Sequence, residues 1–407
     1  MCRTANQTML DWLYSAQRFG VKPGLDAVAR LLAACGALPC GARVIHVAGT
    51  NGKGSTCAMA EAVARRAGLR TGLFTSPHLV RFHERIRVNG EMIPDEAVER
   101  HLAVLRGLAA DWESPPTFFE LALALAMRYF AEEKAELIIL ETGMGGRLDA
   151  TNAVPKSAAA ITPIGLDHMQ YLGDSIAAVA GEKAGIIQRE TPVVSSPQPE
   201  EAARVLDARA RALDTRVQYV AEPSPWPCGL VGEHQRMNAA LALAALEAAG
   251  CPLPEAAVAG GLSGVQWPGR FEEVFPGVVM DGAHNPHAAR VLADTWRRVF
   301  PGRKARCLFA VSADKDVSGV AGVLAPLVEE WILPPVDSPR VSAPADTAGR
   351  LRAAGVDGAR VRPAAALGEA LDAVLRAPRP VLICGSFFLL GQVRALLDSK
   401  PYRPSAQ

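Results

Sequence analysis

Long apolar runs are missing from this sequence. No stretch approaches the ~18 residues that a membrane-crossing helix needs. A dominant charge is missing too. Lys and Arg number 43 against 42 Asp and Glu, the formal net charge is +1, and the basic residues form no run or tail. That removes the electrostatic case for nucleic acid or a membrane surface as partner. Residues 1–20 mix polar and charged side chains early and lack the apolar centre of a signal peptide. The eight cysteines (2, 35, 40, 57, 228, 251, 307, 384) include no C-x-x-C pair. Several stand in apolar runs, where cysteine behaves as a small hydrophobe. A reduced cytoplasmic setting is the expectation. There is no repeat period and no low-complexity segment.

What is present is an ordinary globular balance, 49% hydrophobic and 21% charged over 407 residues, enough for two or three domains with substantial cores. The chain centres on residues 43–56, RVIHVAGTNGKGST. An apolar strand from Val44 to Val47 stops at a glycine-rich turn, Gly49-Thr50-Asn51-Gly52-Lys53-Gly54-Ser55. From Lys53, Cys57, Ala60, Val63, Ala64 and Ala67 follow at helical spacing, and Gly68 supplies the stop. Strand, glycine turn and helix together make a phosphate cradle. Backbone N–H groups point at the anion, the helix N-terminus adds positive potential, a lysine reaches the β/γ-phosphates and a hydroxyl serves Mg²⁺. The spelling is unusual, because Gly54 separates Lys53 from Ser55.

Further along, strands alternate with helices, and polar clusters recur just after strands. Leu137 to Leu140 ends in Glu141 and the loop TGMGGRLDATN. Ala158 to Ile164 leads to Gly165-Leu166-Asp167-His168, and Gly277 to Met280 ends in Asp281-Gly282-Ala283-His284-Asn285-Pro286. An acid at the carboxyl end of a central strand, in a fold with a phosphate loop, is where a Mg²⁺-handling group belongs. A lone His such as His168 is more often structural than metal-bound, and Glu182-Lys183 taken alone reads as a solvated charge pair. Residues 8–35 read as helical with a break at Gly20–Gly24. Trp267-Pro268-Gly269-Arg270 offers a hinge. The expected fold class is α/β with two parallel-sheet domains, divided at 1–268 and 269–407.

The loop HVAGTNGKGST, together with TSPHL, FHERIRVNG, TFFE, LETGMGGRLDATN, ITPIGLDH, GEKAGI, GEHQRMNAA, PGRFE, DGAHNP, DKD and GSFF, resembles the folylpolyglutamate synthase branch of the Mur-ligase superfamily. The matches span nearly the whole chain in order. The resemblance implies an N-terminal P-loop ATPase domain and a smaller C-terminal Rossmann-like domain. It also implies a reaction in which ATP phosphorylates a folate or dihydropteroate carboxylate and the amine of L-glutamate displaces the phosphate. By the same resemblance, Asn51, Gly52, Lys53, Gly54, Ser55, Thr56, Asn238, Arg270 and Asp281 contact nucleotide. Ser55, Ser76, Glu141, His168 and Lys183 hold two Mg²⁺ ions, with Lys183 carried as a carbamate. Thr117, Phe118, Phe119, Glu120, Arg147, Leu148 and Asp149 bind the pterin substrate. Lys53, Lys183 and His284 serve catalysis, His284 near the phosphates or the incoming glutamate. A monomer is implied. Between Arg216 and Gly232 the chain is shorter and richer in proline than the family pattern.

Three rival readings stand beside this one, and the last two fit less well. The first is the same enzyme without dihydrofolate synthase activity, which the sequence does not separate. The second is a cell-wall Mur ligase, which would carry a nucleotide-sugar domain of ~100 residues where only about 45 precede the loop. The third is a nucleotide switch, which would have no use for the second-domain signature or for Glu141 and His168.

Overall fold

The computed structural model describes residues 8–16, 24–38, 41–376 and 380–405. Most of the expected helix break, residues 20–23, lies outside them, as do Cys2 and Cys40. The first half is built on an eight-stranded sheet. Its strands are β1 (Arg43–Ala48), β2 (Thr71–Phe74), β3 (Ile86–Val88), β4 (Glu91–Met92), β5 (Leu137–Glu141), β6 (Ala158–Ile161), β7 (Val193–Ser195) and β8 (Val217–Tyr219), in the order β4-β3-β2-β5-β1-β6-β7-β8. The central strands β1, β5 and β6 are almost wholly buried, which explains their unbroken apolar runs, because helices cover both faces of a parallel sheet. Helices Lys53–Arg66, Glu233–Ala248 and Glu255–Gly264 pack one face through Met59, Val63, Leu241 and Leu262. Helices Asp95–Leu108 and Phe118–Glu132 pack the other through Leu102, Leu105, Leu123 and Phe130. Helix Phe118–Glu132 is apolar nearly all round because it is buried nearly all round.

The second half has six strands: β9 (Glu272–Phe275), β10 (Val278–Asp281), β11 (Ala305–Phe309), β12 (Val328–Leu333), β13 (Val361–Pro363) and β14 (Val381–Cys384), ordered β13-β12-β11-β14-β10-β9. Both sheets are predominantly parallel. The departures sit at their edges. β3 runs antiparallel to β2 and to β4, and β9 antiparallel to β10. The β3–β4 hairpin turns on Asn89 and Gly90, with φ of 50° and 84°, the left-handed pair that a two-residue hairpin requires. The Asn-Gly dipeptide carried that signal. Residues 265–271 join the two halves, and a C-terminal segment returns to the first half, where Arg403 N donates to Val80 O at 3.1 Å.

Register places the chemistry. Val47 of β1 pairs with Glu141 of β5, and Ala48 with Ile161 of β6. The carboxyl ends of three neighbouring strands therefore deliver the glycine loop, Glu141 and the Asp167–His168 segment to one edge. That edge is where such sheets bind ligands.

Candidate active site

The glycine loop runs from Gly49 to Gly52 and opens helix Lys53–Arg66. Two glycines are required by what surrounds them. Gly49 has φ of 147°, and a Cβ there would stand 1.8 Å from Thr162 Oγ1. Gly52 caps the helix at φ 89°, and its Cβ would come within 2.7 Å of Asn238 Oδ1. Lys53 Nζ turns back to Thr50 O at 3.3 Å.

A cavity of about 480 Å³ lies between this loop and the second half. Asn51, Gly52, Lys53, Gly54, Ser55, Ser76, Glu141, His168, Lys183, Asn238, Arg270, Asp281 and His284 all line it. The expected nucleotide and metal residues are thus brought together, except Thr56, which is buried within the helix. The expected pterin residues do not line it. Thr117 and Glu120 bond each other in a capping box, Thr117 N donating to Glu120 Oε2 at 2.7 Å and Glu120 N to Thr117 Oγ1 at 3.3 Å. Asp149 is turned into its own loop, accepting from Met144 N at 2.9 Å and Thr151 N at 3.0 Å. Phe118 is buried against Tyr14 and Phe82. Phe119 lies tilted against Phe74, with its ring beside Gly143. Arg147 pairs with Glu182 at 2.5 Å, and Leu148 is exposed.

Among the described residues, the buried hydroxyls of Ser55 and Ser76 find no hydrogen-bond partner. An orphaned buried hydroxyl is costly unless a ligand completes it. Glu141 lines the same cavity, and its Oε2 accepts from Ser76 N at 3.0 Å. Burial pushes its carboxyl up, against the pull of Lys53 and the Ser76 amide. His168, at φ 50°, opens a short helical turn, and burial lowers its pKa to about 4, so the ring is neutral and able to ligate. Among the described residues no three His, Cys, Asp or Glu side chains form a cage. Hydroxyls, one carboxylate and one imidazole fit a hard divalent cation that completes its shell with phosphate oxygens and water.

Lys183 is no solvated partner of Glu182. It is buried, and its Nζ donates to Gly49 O at 2.8 Å. Burial and the nearby Lys53 pull its pKa down to about 7. The neighbouring residues explain the GEKAG spelling. Glu182 holds Arg147 by its side chain and by its carbonyl, which accepts from Arg147 N at 2.7 Å, and a Cβ on Gly185 would strike Arg147 Cβ at 2.3 Å.

The far wall comes from the second half. Asp281, ending β10, accepts from Phe271 N and Ala283 N, both at 2.8 Å. Burial raises its pKa while Arg270 opposes the rise. Arg270, its own pKa lowered by burial, lies over Phe387 at 4.7 Å. Asp167 is the residue that sequence reading passed over. Its carboxylate takes Lys315 Nζ at 2.5 Å on Oδ1, and His284 Nε2 at 3.1 Å and Asn285 Nδ2 at 3.0 Å on Oδ2. Burial favours its neutral form, yet His284 and Lys315 outweigh this and hold the carboxyl well below the usual range. Asn51 and Asn285 exchange side-chain amides at 3.3 and 3.2 Å, and Asn51 Nδ2 also meets His287 Nδ1 at 2.8 Å. Asp167 stood beside His168 in the strand-end cluster, and Lys315 in Asp314-Lys315-Asp316. Nothing local in either cluster named its partner.

Comparison with known proteins matches residues 47–194 to the Mur ligase middle domain and residues 269–387 to the Mur ligase glutamate ligase domain. An Escherichia coli dihydrofolate synthase/folylpolyglutamate synthase is 34% identical over 410 residues, covering 96% of this chain and 95% of the relative. A Mycobacterium tuberculosis folylpolyglutamate synthase complexed with ADP superposes with TM-score 0.89 at 32% identity, covering 97% and 99% of the two chains. A bifunctional folylpolyglutamate synthase/dihydrofolate synthase with Mn, AMPPNP and L-glutamate bound superposes with TM-score 0.84 at 31% identity, over 98% and 100%.

Proposed function

The chain belongs to the Mur ligase family, in its folylpolyglutamate and dihydrofolate synthase branch, and from that premise we propose how its cleft performs the reaction. The protein is an ATP-dependent ligase that adds L-glutamate to a folate, with ATP and a divalent metal as cofactors. A carboxylate is a poor electrophile until phosphorylated, so two anions must first be brought together and neutralised. Lys53 and the N–H groups of Gly52 to Ser55 take the triphosphate, with Asn51 beside them in the cavity wall, while Thr56 N is spent on Gly52 O at 2.9 Å inside the helix. Asn238, Arg270 and Asp281 take the rest of the nucleotide. Ser55, Ser76, Glu141, His168 and Lys183 would hold the metal, which supplies Lewis-acid charge at the reacting oxygens when bound. The observation that carries the reading is that two unpaired buried hydroxyls, Ser55 and Ser76, line one cavity with Glu141 and the glycine loop.

Lys183 is read as a carbamate. The amine must be neutral to attack CO₂, and a pKa of about 7 leaves about half of it neutral at pH 7, against roughly one part in 2,500 for an ordinary lysine. His284, gripped by Asp167, faces the reacting carboxyl from the second half and steadies phosphate or incoming glutamate. On the pterin side, Thr117, Phe118, Phe119, Glu120, Arg147, Leu148 and Asp149 remain the assigned residues. Phe119 and Leu148 give apolar surface there, and Asp149 holds the loop that presents it. The division of labour is 1–268 for ATP and 269–407 for ligation. No described helix is long and apolar enough to cross a membrane. The reading is of a cytoplasmic monomer, supported by a cleft whose two walls come from one chain and by free thiols at all six described cysteines.

Purified protein with Mg-ATP and glutamate, given dihydropteroate or tetrahydrofolate in separate reactions and read by mass spectrometry, tests this. Glutamylation of both acceptors with ADP release is expected. Conversion of tetrahydrofolate alone restricts the enzyme to polyglutamate synthesis, and conversion of neither overturns the reading.

A further inference from the structure

A second cavity, of about 240 Å³, adjoins the first. It shares Ser76, Glu141 and Arg270 with the larger one, so the two meet at the end where the carboxylate is activated. From there it opens between the β2–β3 region of the first half and the end of helix Phe387–Asp398 in the second. Its size falls below that of a pocket for an independent drug-sized ligand (roughly 300 Å³ upward) and suits an extension of something already held in the first.

Its charge is specific. Glu84 contributes little free negative charge, because its carboxylate accepts from Leu79, Val80 and Arg81 N at 2.6, 2.9 and 2.9 Å. Arg394 is paired with Glu272, and Lys400 with Asp398 at 3.1 Å. Arg87 differs from these, having no ion pair among the described residues. Its guanidinium lies 5.3 Å from the Trp267 ring centre, and its Nε donates to Glu84 O at 3.4 Å. A half-buried guanidinium has lost part of its hydration, and Glu84, Glu61 and Glu91 offset only some of that from beyond ion-pair distance. Its planar fork matches a carboxylate.

The inference rests on the ligase function given above. Each round of that reaction converts the acceptor into one with a further α-carboxylate, and the reacting γ-carboxyl must return each time to the Ser76–Glu141 end. The residues already added have to lie elsewhere, beside that end and near cations. We propose that the second cavity is the subsite for the existing γ-glutamyl chain, with Arg87 binding an α-carboxylate and Lys400 at the mouth attracting the next.

The test compares wild type, Arg87→Gln and Lys400→Gln on tetrahydrofolate carrying one or three glutamates, at saturating Mg-ATP and glutamate. For Arg87→Gln, KM for the triglutamate acceptor rises five- to tenfold, kcat stays within twofold and KM for the monoglutamate is unchanged. Its product chains, read by mass spectrometry, end shorter. Added KCl raises the triglutamate KM of wild type more than that of the variant, since the contact is ionic. Lys400→Gln, an exposed change, gives a two- to threefold rise on the same acceptor and decides the matter if Arg87→Gln does not fold. Equal KM rises on both acceptors, no rise on either, or a wild type that uses the monoglutamate but not the triglutamate overturns the subsite. A wild type that glutamylates nothing overturns the ligase reading instead.

Discussion

Lys315 Nζ stands 2.5 Å from Asp167 Oδ1, and both side chains are almost fully buried in the cleft between the two halves. Asp167 follows the first sheet's β6, while Lys315 follows the second sheet's β11, so this ion pair ties the halves together at the mouth of the active site. Removing one partner takes from a buried charge its nearest counter-charge, leaving Asp167 with His284 and Asn285, or Lys315 with Asp314 at 3.7 Å; that costs up to about 3–5 kcal/mol, whereas removing both costs less. Asp167→Asn and Lys315→Met are each expected to lower the urea midpoint clearly. The double variant should lose markedly less than the sum, a coupling that a double-mutant cycle reads directly. Additive losses would mean that the pair does not hold the cleft.

Lys183→Ala is expected to bind ATP within about threefold of wild type, since the loop amides and Lys53 remain, and to lose turnover by at least about a hundredfold. Calorimetric titration with an ATP analogue checks the first and product assay the second. Unchanged turnover would remove the carbamate. Mass analysis of the native wild-type protein under bicarbonate should show an added carboxyl group that the variant lacks.

Two glycine substitutions separate function from plain backbone cost. Gly52→Ala sets a Cβ 2.7 Å from Asn238 Oδ1 at φ 89°, inside the phosphate loop. Gly68→Ala has the same sign of φ, 88°, with open space around it. Both pay for a left-handed residue, on the order of 1 kcal/mol. Only Gly52→Ala should also lose nucleotide affinity, by tenfold or more. Equal affinities in the two variants would show that the close approach at Gly52 does not shape the loop.

The site was legible where one strand end carried its own signal. The glycine loop, Glu141, His168 and Asp281 follow apolar runs whose direction and burial the spacing conveyed, and parallel register then aligned their ends. What escaped was pairing across the halves. Asp167 was visible beside His168, and Lys315 between two aspartates, but an ion pair between segments so far apart in sequence leaves no local pattern. The antiparallel edge was missed for another reason. Asn89-Gly90 between Ile86–Val88 and Glu91–Met92 is a hairpin signature, yet both strands are too short for an alternation to register. Thr117-x-x-Glu120 reads locally as a capping box, and the two side chains do bond each other.

Stability should rise with pH through Lys156. Its Nζ donates to Asn152 Oδ1 at 2.6 Å and to Ile186 O at 3.4 Å, neither of them an anion, beside the loop that carries Arg147 and Asp149. Burial lowers its pKa to about 7, with Asp149 only partly offsetting the loss of hydration. An unfolded lysine holds its proton to about 10.4. Between these values the unfolded chain binds one more proton than the folded one, so unfolding free energy increases with pH. The contribution is complete above the unfolded pKa, falls as pH drops toward 7, and is absent below it. Its full size is on the order of a few kcal/mol, at about 1.4 kcal/mol per unit. Lys183 titrates in the same window, so the measurement must be a difference. Lys156→Met removes one titrating group and keeps the aliphatic stem. Urea unfolding at pH 7 and pH 9 should show wild type gaining more stability across the interval than the variant, by up to about 2.7 kcal/mol. Equal gains would place the Lys156 ammonium in water rather than beside the loop.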